Sequence, residues 1–353
     1  MSALLKIEPP RRIAVVMLSA LGDAVHVLPV LNALKRTWPG THITWIIQPV
    51  PHQLALHHRA VDEFIVFHRR RGMKSPRAFT ELRRRTRGRR FDLVLNLQVY
   101  LKAGLITSMM DAPVKLGFDR ARARDLNWLF TTHRIPPHRP QHVQDQYFEF
   151  LHYLGVDPEP VRWDIVITPE ERAAQAEFFA GLDCPACAVV LGTSRARKNW
   201  PAARYARALE HVSERHGLQP VVVGGPSPAE REIAAEVAQL ARVPVVDALG
   251  DSVRRLIWLL DGSRLVLSPD TGPLHVARAL DRPLVGIYGY TNPRRHAPYR
   301  RPGAVVDGYA RTPGEDYPVS MKYRPEGMAR VSVAAVTAKI DEIMAAPVRE
   351  PAG

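Results

Sequence analysis

The sequence predicts an α/β protein built from two doubly wound domains with a cleft between their strand ends. Three observations carry that prediction. Short apolar runs alternate with amphipathic helical patterns along almost the whole chain, which is how a parallel sheet covered on both faces reads. The alternation stops in a polar, proline-bearing stretch at residues 157–169 and then starts again. A chain of 353 residues is long for one compact core and suits two domains of ordinary size.

In the first half, residues 13–18 read as a buried strand and 23–36 as a helix with Val27, Val30, Leu31 and Leu34 on its apolar face. Strands follow at 42–47 and 63–67. Beyond an arginine-rich helix come a strand at 91–97 and a helix at 101–110. In the second half, strands are expected at 188–191, 220–223, 243–246, 265–267 and 284–287, with helices at 201–216, 227–240, 252–260 and 272–280. The helix at 227–240 opens with Ser227-Pro228 and acidic residues, the composition of a cap and first turn. A last helix at 333–344 has no local strand to pair with and is expected to pack back across the domain boundary.

Composition narrows the function classes. Hydrophobic residues at 46% and charged residues at 24% describe a folded protein, neither disordered nor a membrane bundle. No apolar run approaches the roughly 20 residues that span a bilayer, and the first apolar stretch soon meets Gly22, Asp23 and His26, so a cytoplasmic location is expected. Cys184 and Cys187 stand alone as Cys-Pro-Ala-Cys; without a second pair they do not complete a four-ligand zinc site, and they are assigned no function. The net charge is +14, and residues 69–90 hold eleven Lys/Arg against Glu81 alone. Such a surface suits nucleic acid, anionic headgroups or a phosphorylated glycolipid, or is simply a solvated face. The lack of interleaved aromatics weakens the single-stranded nucleic-acid reading.

In open parallel sheets, ligands bind at loops leaving the carboxyl ends of strands. Three such loops are chemically unusual. Leu18-Ser19-Ala20-Leu21-Gly22-Asp23 lacks a dinucleotide fingerprint but offers a carboxylate, Asp23, which also fits helix capping. Ser268-Pro269-Asp270-Thr271-Gly272-Pro273-Leu274-His275 places amides of Thr271 and Gly272 at a helix start, a ready anion site, with Asp270 better suited to sugar hydroxyls than to phosphate. Gly192-Thr193-Ser194-Arg195-Ala196-Arg197-Lys198-Asn199-Trp200-Pro201 gathers hydroxyls and cations, which suits phosphate contact. Helix capping and a generic polar loop remain the plain alternatives for the second and third.

At these residues the chain resembles glycosyltransferase family 9, the bacterial heptosyltransferases of lipopolysaccharide inner-core synthesis. The likeness covers about residues 11–345. It rests on Leu21-Gly22-Asp23 with His26, Leu28 and Pro29; on Thr193-Ser194-Arg195 with Lys198 and Trp200-Pro201; on Asp270-Thr271-Gly272 with His275; and on Tyr288-Gly289-Tyr290-Thr291-Asn292-Pro293. The resemblance implies a GT-B fold, two Rossmann-like domains facing a central cleft. Residues 1–165 would bind the acceptor, 166–332 the nucleotide sugar, and 333–353 would form the C-terminal helix and tail.

Carried over, Asp23 would be the general base of an inverting displacement. Lys198, with Thr193 and Ser194, would hold the donor phosphates and offset charge on the leaving ADP. Thr271 and Gly272 would add backbone donors, and Asp270 and His275 would line the sugar pocket. Glu230 is the nearest acidic residue to a ribose ligand, although Pro228 competes for that position. Ser19, Gly22, Lys102, Arg120, Arg122 and Arg124 would serve an anionic, Kdo-containing acceptor.

No metal and no obligate cofactor is expected, since no D-x-D stands beside the donor loops. The implied partners are an ADP-heptose co-substrate, an anionic glycolipid, and the cytoplasmic face of the inner membrane through residues 69–90, with no nucleic acid. The competing readings are a relative using another nucleotide sugar or a non-lipopolysaccharide acceptor, an epimerase-like protein of the same architecture, and a basic nucleic-acid-binding α/β protein.

Overall fold

In the computed structural model, which describes residues 4–5, 7–68, 76–193 and 195–346, the apolar runs form two parallel sheets. The first contains β1 (Arg12–Val16), β2 (His42–Ile47), β3 (Glu63–Val66), β4 (Leu93–Asn96), β5 (Val114–Gly117) and β6 (His133–Arg134), in the order β3-β2-β1-β4-β5-β6. The second contains β7 (Ala186–Val189), β8 (Gln219–Val222), β9 (Val246–Asp247), β10 (Leu265–Pro269), β11 (Leu284–Tyr288) and β12 (Val305–Asp307), in the order β12-β11-β10-β7-β8-β9. Each has the doubly wound 3-2-1-4-5-6 order, whose strand sequence reverses beside the first strand. The switch points lie between β1 and β4 and between β7 and β10.

The chain divides into one unit of Met1–Arg139 with Val143–Val166 and another of Pro140–His142 with Ile167–Gly353. Pro140–His142 join the second unit through a 3.2 Å hydrogen bond from Arg295 to the Gln141 carbonyl and a 2.8 Å bond between His142 Nε2 and the Ala297 carbonyl. Burial explains why the strands read as unbroken apolar runs. Residues Ile13 to Val16 and Leu93 to Leu95 are fully buried in the first unit, as are Cys187 to Val189 and Leu265 to Leu267 in the second.

Helices cover the sheets. Leu21–Thr37 buries Val27, Val30, Leu31 and Leu34. Ala202–His216 buries Tyr205, Leu209 and Val212, then ends at Gly217 in the left-handed region (φ 60°). The Gly217 amide reaches the Ser213 carbonyl at 3.0 Å, the 5→1 bond of an αL helix end, which glycine permits without strain.

The C-terminal helix Val333–Ala345 packs against Ala202–His216 and β11 within the second unit. Its Val336 and Ile340 enter the core of the second unit beside Trp200, Leu209 and Val212. The sequence conceals this because the helix's partners, Ala202–His216 and β11, are distant along the chain. The short strands β5, β6 and β12, and the helices Pro49–Ala55, Val143–Tyr153 and Pro169–Ala180, are also additions to the sequence reading.

One motif glycine has a packing cause. A Cβ on Gly289 would collide with the backbone of Gly327 and Met328, so the turn after β11 accepts this chain crossing only without a side chain. Gly303 has open space around it. Gly289→Ala should therefore destabilise the protein by about 1–3 kcal/mol or more, while Gly303→Ala should stay within about 1 kcal/mol of wild type. Urea unfolding midpoints of the two variants check this; equal midpoints would contradict the crossing.

Candidate active site

At the first unit's switch point, the loops after β1 and β4 are tied together. Gln98, beyond β4, accepts from the Leu18 amide at 3.1 Å and donates to the Ser19 carbonyl. Asn96, buried at the end of β4, donates to Asn127 at 3.0 Å, and Asn127 donates to the Tyr100 carbonyl at 2.7 Å. These amides brace the loop that carries Ser19 and Gly22. No motif in the sequence marks them, since a side-chain amide reads alike in a loop or a core.

Asp23 is the third residue of helix Leu21–Thr37 rather than its cap, and its Oδ2 accepts from the Ala20 amide at 3.0 Å. It is half-buried. An ionised carboxylate has about four lone-pair sites, so holding Ala20 does not prevent it from accepting a further proton donor. His26 is buried and pairs with Gln144, Nδ1 to Oε1 at 2.9 Å, while Gln144 donates to the His26 carbonyl at 2.8 Å; its role is to dock Val143–Tyr153.

The basic residues expected to meet an acceptor separate into two kinds. Arg122 points inward: its guanidinium bonds Asp119, Glu149 (2.7 Å) and the Pro136 carbonyl (3.0 Å). Burial opposes its charge, and the hydrogen bonds it donates to Glu149 and Asp119 more than restore it, so its pKa lies above the usual arginine value. These bonds hold the β5–β6 connection. Arg120 and Arg124 are exposed or half-exposed and Lys102 is half-buried. The Arg120 guanidinium lies 4.4 Å from the Trp128 ring, with Arg134 at 5.9 Å from the same ring, and both gain cation–π attraction there.

The second unit's switch point holds a denser constellation. The loop after β7 is anchored by the Val190 amide on the Leu267 carbonyl and by Trp200, buried, whose indole donates to the Val331 carbonyl at 3.0 Å. Between these anchors lies Lys198. Its ammonium is 2.7 Å from Asp270 Oδ2 and 3.1 Å from the Asp270 carbonyl. The Thr291 hydroxyl donates to the same Oδ2 at 2.5 Å, and His275 Nε2 lies 3.7 Å from Oδ1.

The resemblance implies sugar hydroxyls for Asp270 and direct phosphate contact for Lys198. In the structure the two hold each other, because a carboxylate this buried needs a compensating cation. Two of Lys198's three N–H donors face Asp270, which leaves one for an anion. Thr193 organises its own loop, lying 2.6 Å from the Arg195 carbonyl and 2.8 Å from Asn199 Oδ1. Ser194 lies outside the described residues.

Thr271 occupies the N-cap position of helix Gly272–Ala279, with Pro273 in the first turn. The positive helix end is therefore beside Lys198, an arrangement that favours an anion. Glu230 settles into the adjacent strand ends. Its carboxylate accepts from the Gly225 amide at 3.0 Å and the Ser227 hydroxyl at 2.6 Å. A Cβ on Gly192 or Gly225 would collide with it. Pro228 is simply the first helical residue after the Ser227 cap. Glu230 retains lone pairs for hydroxyls, so cationic and hydroxyl-accepting groups lie on neighbouring loops, the pairing a nucleoside diphosphate needs.

Electrostatics follow from burial. Desolvation opposes ionisation of Asp270, but the nearby His275 imidazole and the Lys198 charge hold its carboxyl well below the usual range. Burial pushes the His296 imidazole down to about 3, overriding the attraction of Asp270. Burial, reinforced by the Asp270 charge, pushes the Tyr288 phenol well above its ordinary value, and its hydroxyl donates to the His296 carbonyl at 2.6 Å.

Comparison with known proteins agrees with this geometry. A family model described as glycosyltransferase family 9 (heptosyltransferase) matches residues 79–316. Lipopolysaccharide core heptosyltransferase OpsX of Haemophilus influenzae is 28% identical over 303 residues, 86% of each chain. Lipopolysaccharide heptosyltransferase 1 of Salmonella typhimurium is 28% identical over 291 residues, 80% of this chain and 89% of its own. The Escherichia coli heptosyltransferase WaaC with ADP superposes at a TM-score of 0.73 and 26% identity, covering 94% of this chain and 99% of that one. A family 9 glycosyl transferase from Veillonella parvula shares the fold at a TM-score of 0.80 and 24% identity, covering 95% and 97%.

The desolvated His296 imidazole gives a pH test. His296 has a folded pKa below its unfolded 6.5, so its contribution is complete above pH 6.5 and lost as pH falls toward about 3. Across that window His296→Gln should show a shallower loss of unfolding free energy than wild type; an identical slope would contradict the neutral, desolvated imidazole. With two six-stranded parallel sheets of the GT-B class and a match over most of its length, the chain belongs to glycosyltransferase family 9, the heptosyltransferase family, and is a glycosyltransferase.

Proposed function

We propose that the protein transfers a heptose from ADP-heptose to the inner core, the Kdo/heptose region, of lipopolysaccharide, with inversion at the anomeric carbon. The observation that carries the donor side is the Lys198–Asp270 pair beside the start of helix Gly272–Ala279. Similarity to WaaC, solved with ADP, and to the lipopolysaccharide heptosyltransferases supports the choice of nucleotide, sugar and acceptor.

In this reading Lys198, Thr271 and Gly272 meet the diphosphate, and Glu230 accepts from the ribose. Thr193 and Ser194 complete the phosphate loop, and Asp270 and His275 border the sugar. Negative charge grows on the leaving ADP, where a preorganised cation and helix end stabilise it most. These groups carry that charge without an obligate divalent ion.

Asp23 takes the proton of the acceptor hydroxyl as its oxygen attacks the anomeric carbon and the bond to ADP breaks. Its half-exposed position at a strand-end switch point supports the assignment. Arg120, Arg124 and Lys102, with the Ser19–Gly22 loop, serve the carboxylates and phosphates of the acceptor.

The basic segment 69–90 would hold the enzyme against the anionic cytoplasmic face of the inner membrane. Residues 69–75 lie outside the described residues. The rest supports this reading: helix Pro76–Thr86 packs Leu82 inward, with Phe79 against Phe67, and leaves Arg77, Arg83 and Arg84 exposed.

Three measurements test the proposal. Thermal unfolding with ADP, UDP or GDP at equal concentration should show selective stabilisation by ADP, about 2.7 kcal/mol at 100 times its dissociation constant. If UDP or GDP prevails, the heptosyl donor is wrong while the transferase remains. Asp23→Asn should bind ADP like wild type and lose about 10²–10⁴-fold in turnover, the usual worth of a general base; near-normal turnover would remove Asp23 from that role. Replacing Arg83 and Arg84 by alanine should weaken sedimentation with anionic vesicles by about fivefold per charge, at about 1 kcal/mol each. Equal binding to neutral vesicles would contradict the electrostatic contact.

A further inference from the structure

His211 and His216 lie near the end of helix Ala202–His216, and Asp341 on the C-terminal helix Val333–Ala345 reaches between them. His211 Nε2 is 2.8 Å and His216 Nε2 is 2.7 Å from the same oxygen, Asp341 Oδ1. The two rings are 5.6 Å apart between centroids. One ligand atom from each of the three residues falls within 4.8 Å of the other two. Residues five apart on a helix differ in direction by about 140°, so convergence on one point is supplied by the carboxylate. The helix's docking does not require it, because Val336 and Ile340 already enter the core.

We propose that His211, His216 and Asp341 form a structural site for a divalent transition cation of the zinc class, clamping the C-terminal helix to Ala202–His216. Two imidazole nitrogens and one carboxylate oxygen suit zinc and its neighbours better than magnesium or calcium. Metal bonds of about 2.0–2.2 Å at tetrahedral angles separate ligand atoms by roughly 3.3 Å. The two Nε2–Oδ1 separations therefore open by about half an ångström, which half-exposed side chains accommodate by rotation. In the metal-free protein each Nε2–H donates to Asp341. On binding, each neutral ring changes tautomer through solvent to carry its proton on Nδ1, presents the Nε2 lone pair to the ion, and the ion replaces the two shared hydrogen bonds. Asp341, 46% exposed, leaves water access for the remaining position.

The left-handed helix end at Gly217 fixes the backbone beside His216. Helical rise puts His216 about 21 Å along the axis from Ala202, at the end where β8 begins. The clamp is therefore remote from the Lys198 loop and stands independently of the proposed reaction.

The test uses the full chain without an affinity tag, titrated with Zn2+ alone. Wild type should take up one equivalent, raise its unfolding midpoint, and shift the ring signals of His211 and His216 before those of other histidines. Asp341→Asn keeps an acceptor oxygen for the two rings, so it should fold, yet bind Zn2+ more than about 10-fold more weakly, the loss that even an outer-shell change can cause. His211→Gln should do the same. The proposal is overturned if wild type shows no saturable uptake, if other histidines respond first, or if the affinity survives Asp341→Asn unchanged.

Discussion

Asp270 stands at the carboxyl end of β10, the strand beside the switch point, with its charge almost removed from water. A carboxylate in that position is tolerable only when a cation and hydroxyl or imidazole donors converge on it. Lys198, Thr291 and His275 supply them, and each arrives from a different loop or helix start. The pair therefore sets the conformation of the loop after β7, the helix start at Gly272 and the turn after β11 together. It also leaves the lysine partly committed, so that a ligand phosphate meets a cation already fixed in place, which lowers the reorganisation that charge stabilisation would otherwise need.

The surroundings of that pair are shaped by close approach. Gly192 and Gly225 make room for the Glu230 side chain, and Gly289 makes room for the crossing backbone at Gly327 and Met328. Trp200 serves the complementary purpose: buried in the core and bonded to Val331, it holds the Lys198 loop from its far end. Phosphate-type loops need precision more than bulk, and here it comes from buried anchors at the loop ends with small residues between them.

The strongly basic character of the chain resolves into distinct populations. Arg122, Arg254 and Arg324 are engaged in short ion pairs with Glu149, Glu171 and Glu315 respectively, and these act as struts inside their own units. Arg77, Arg83, Arg87 and Arg120 are exposed and shape the field that an anionic partner meets. Net charge alone does not separate the two, yet only the second kind contributes to long-range attraction in water.

The sequence by itself determined the fold class, because hydrophobic period is a local property. The run from Ala14 to Val16 in β1 and the helical spacing of Val27, Leu31 and Leu34 need no knowledge of distant residues. It also located the strand-end loops, since Gly272, Pro273 and the Ser227 cap carry their conformations in their own chemistry. Tertiary structure decided what those residues face. Lys198 turning to Asp270 across 72 positions, Arg122 folding inward on Glu149, Gln98 bracing Ser19, and the C-terminal helix closing its own unit are all outcomes of long-range packing. A charged or amide side chain reads the same in sequence whether it meets a ligand, water or a buried partner, and only burial with the identity of its neighbour distinguishes them.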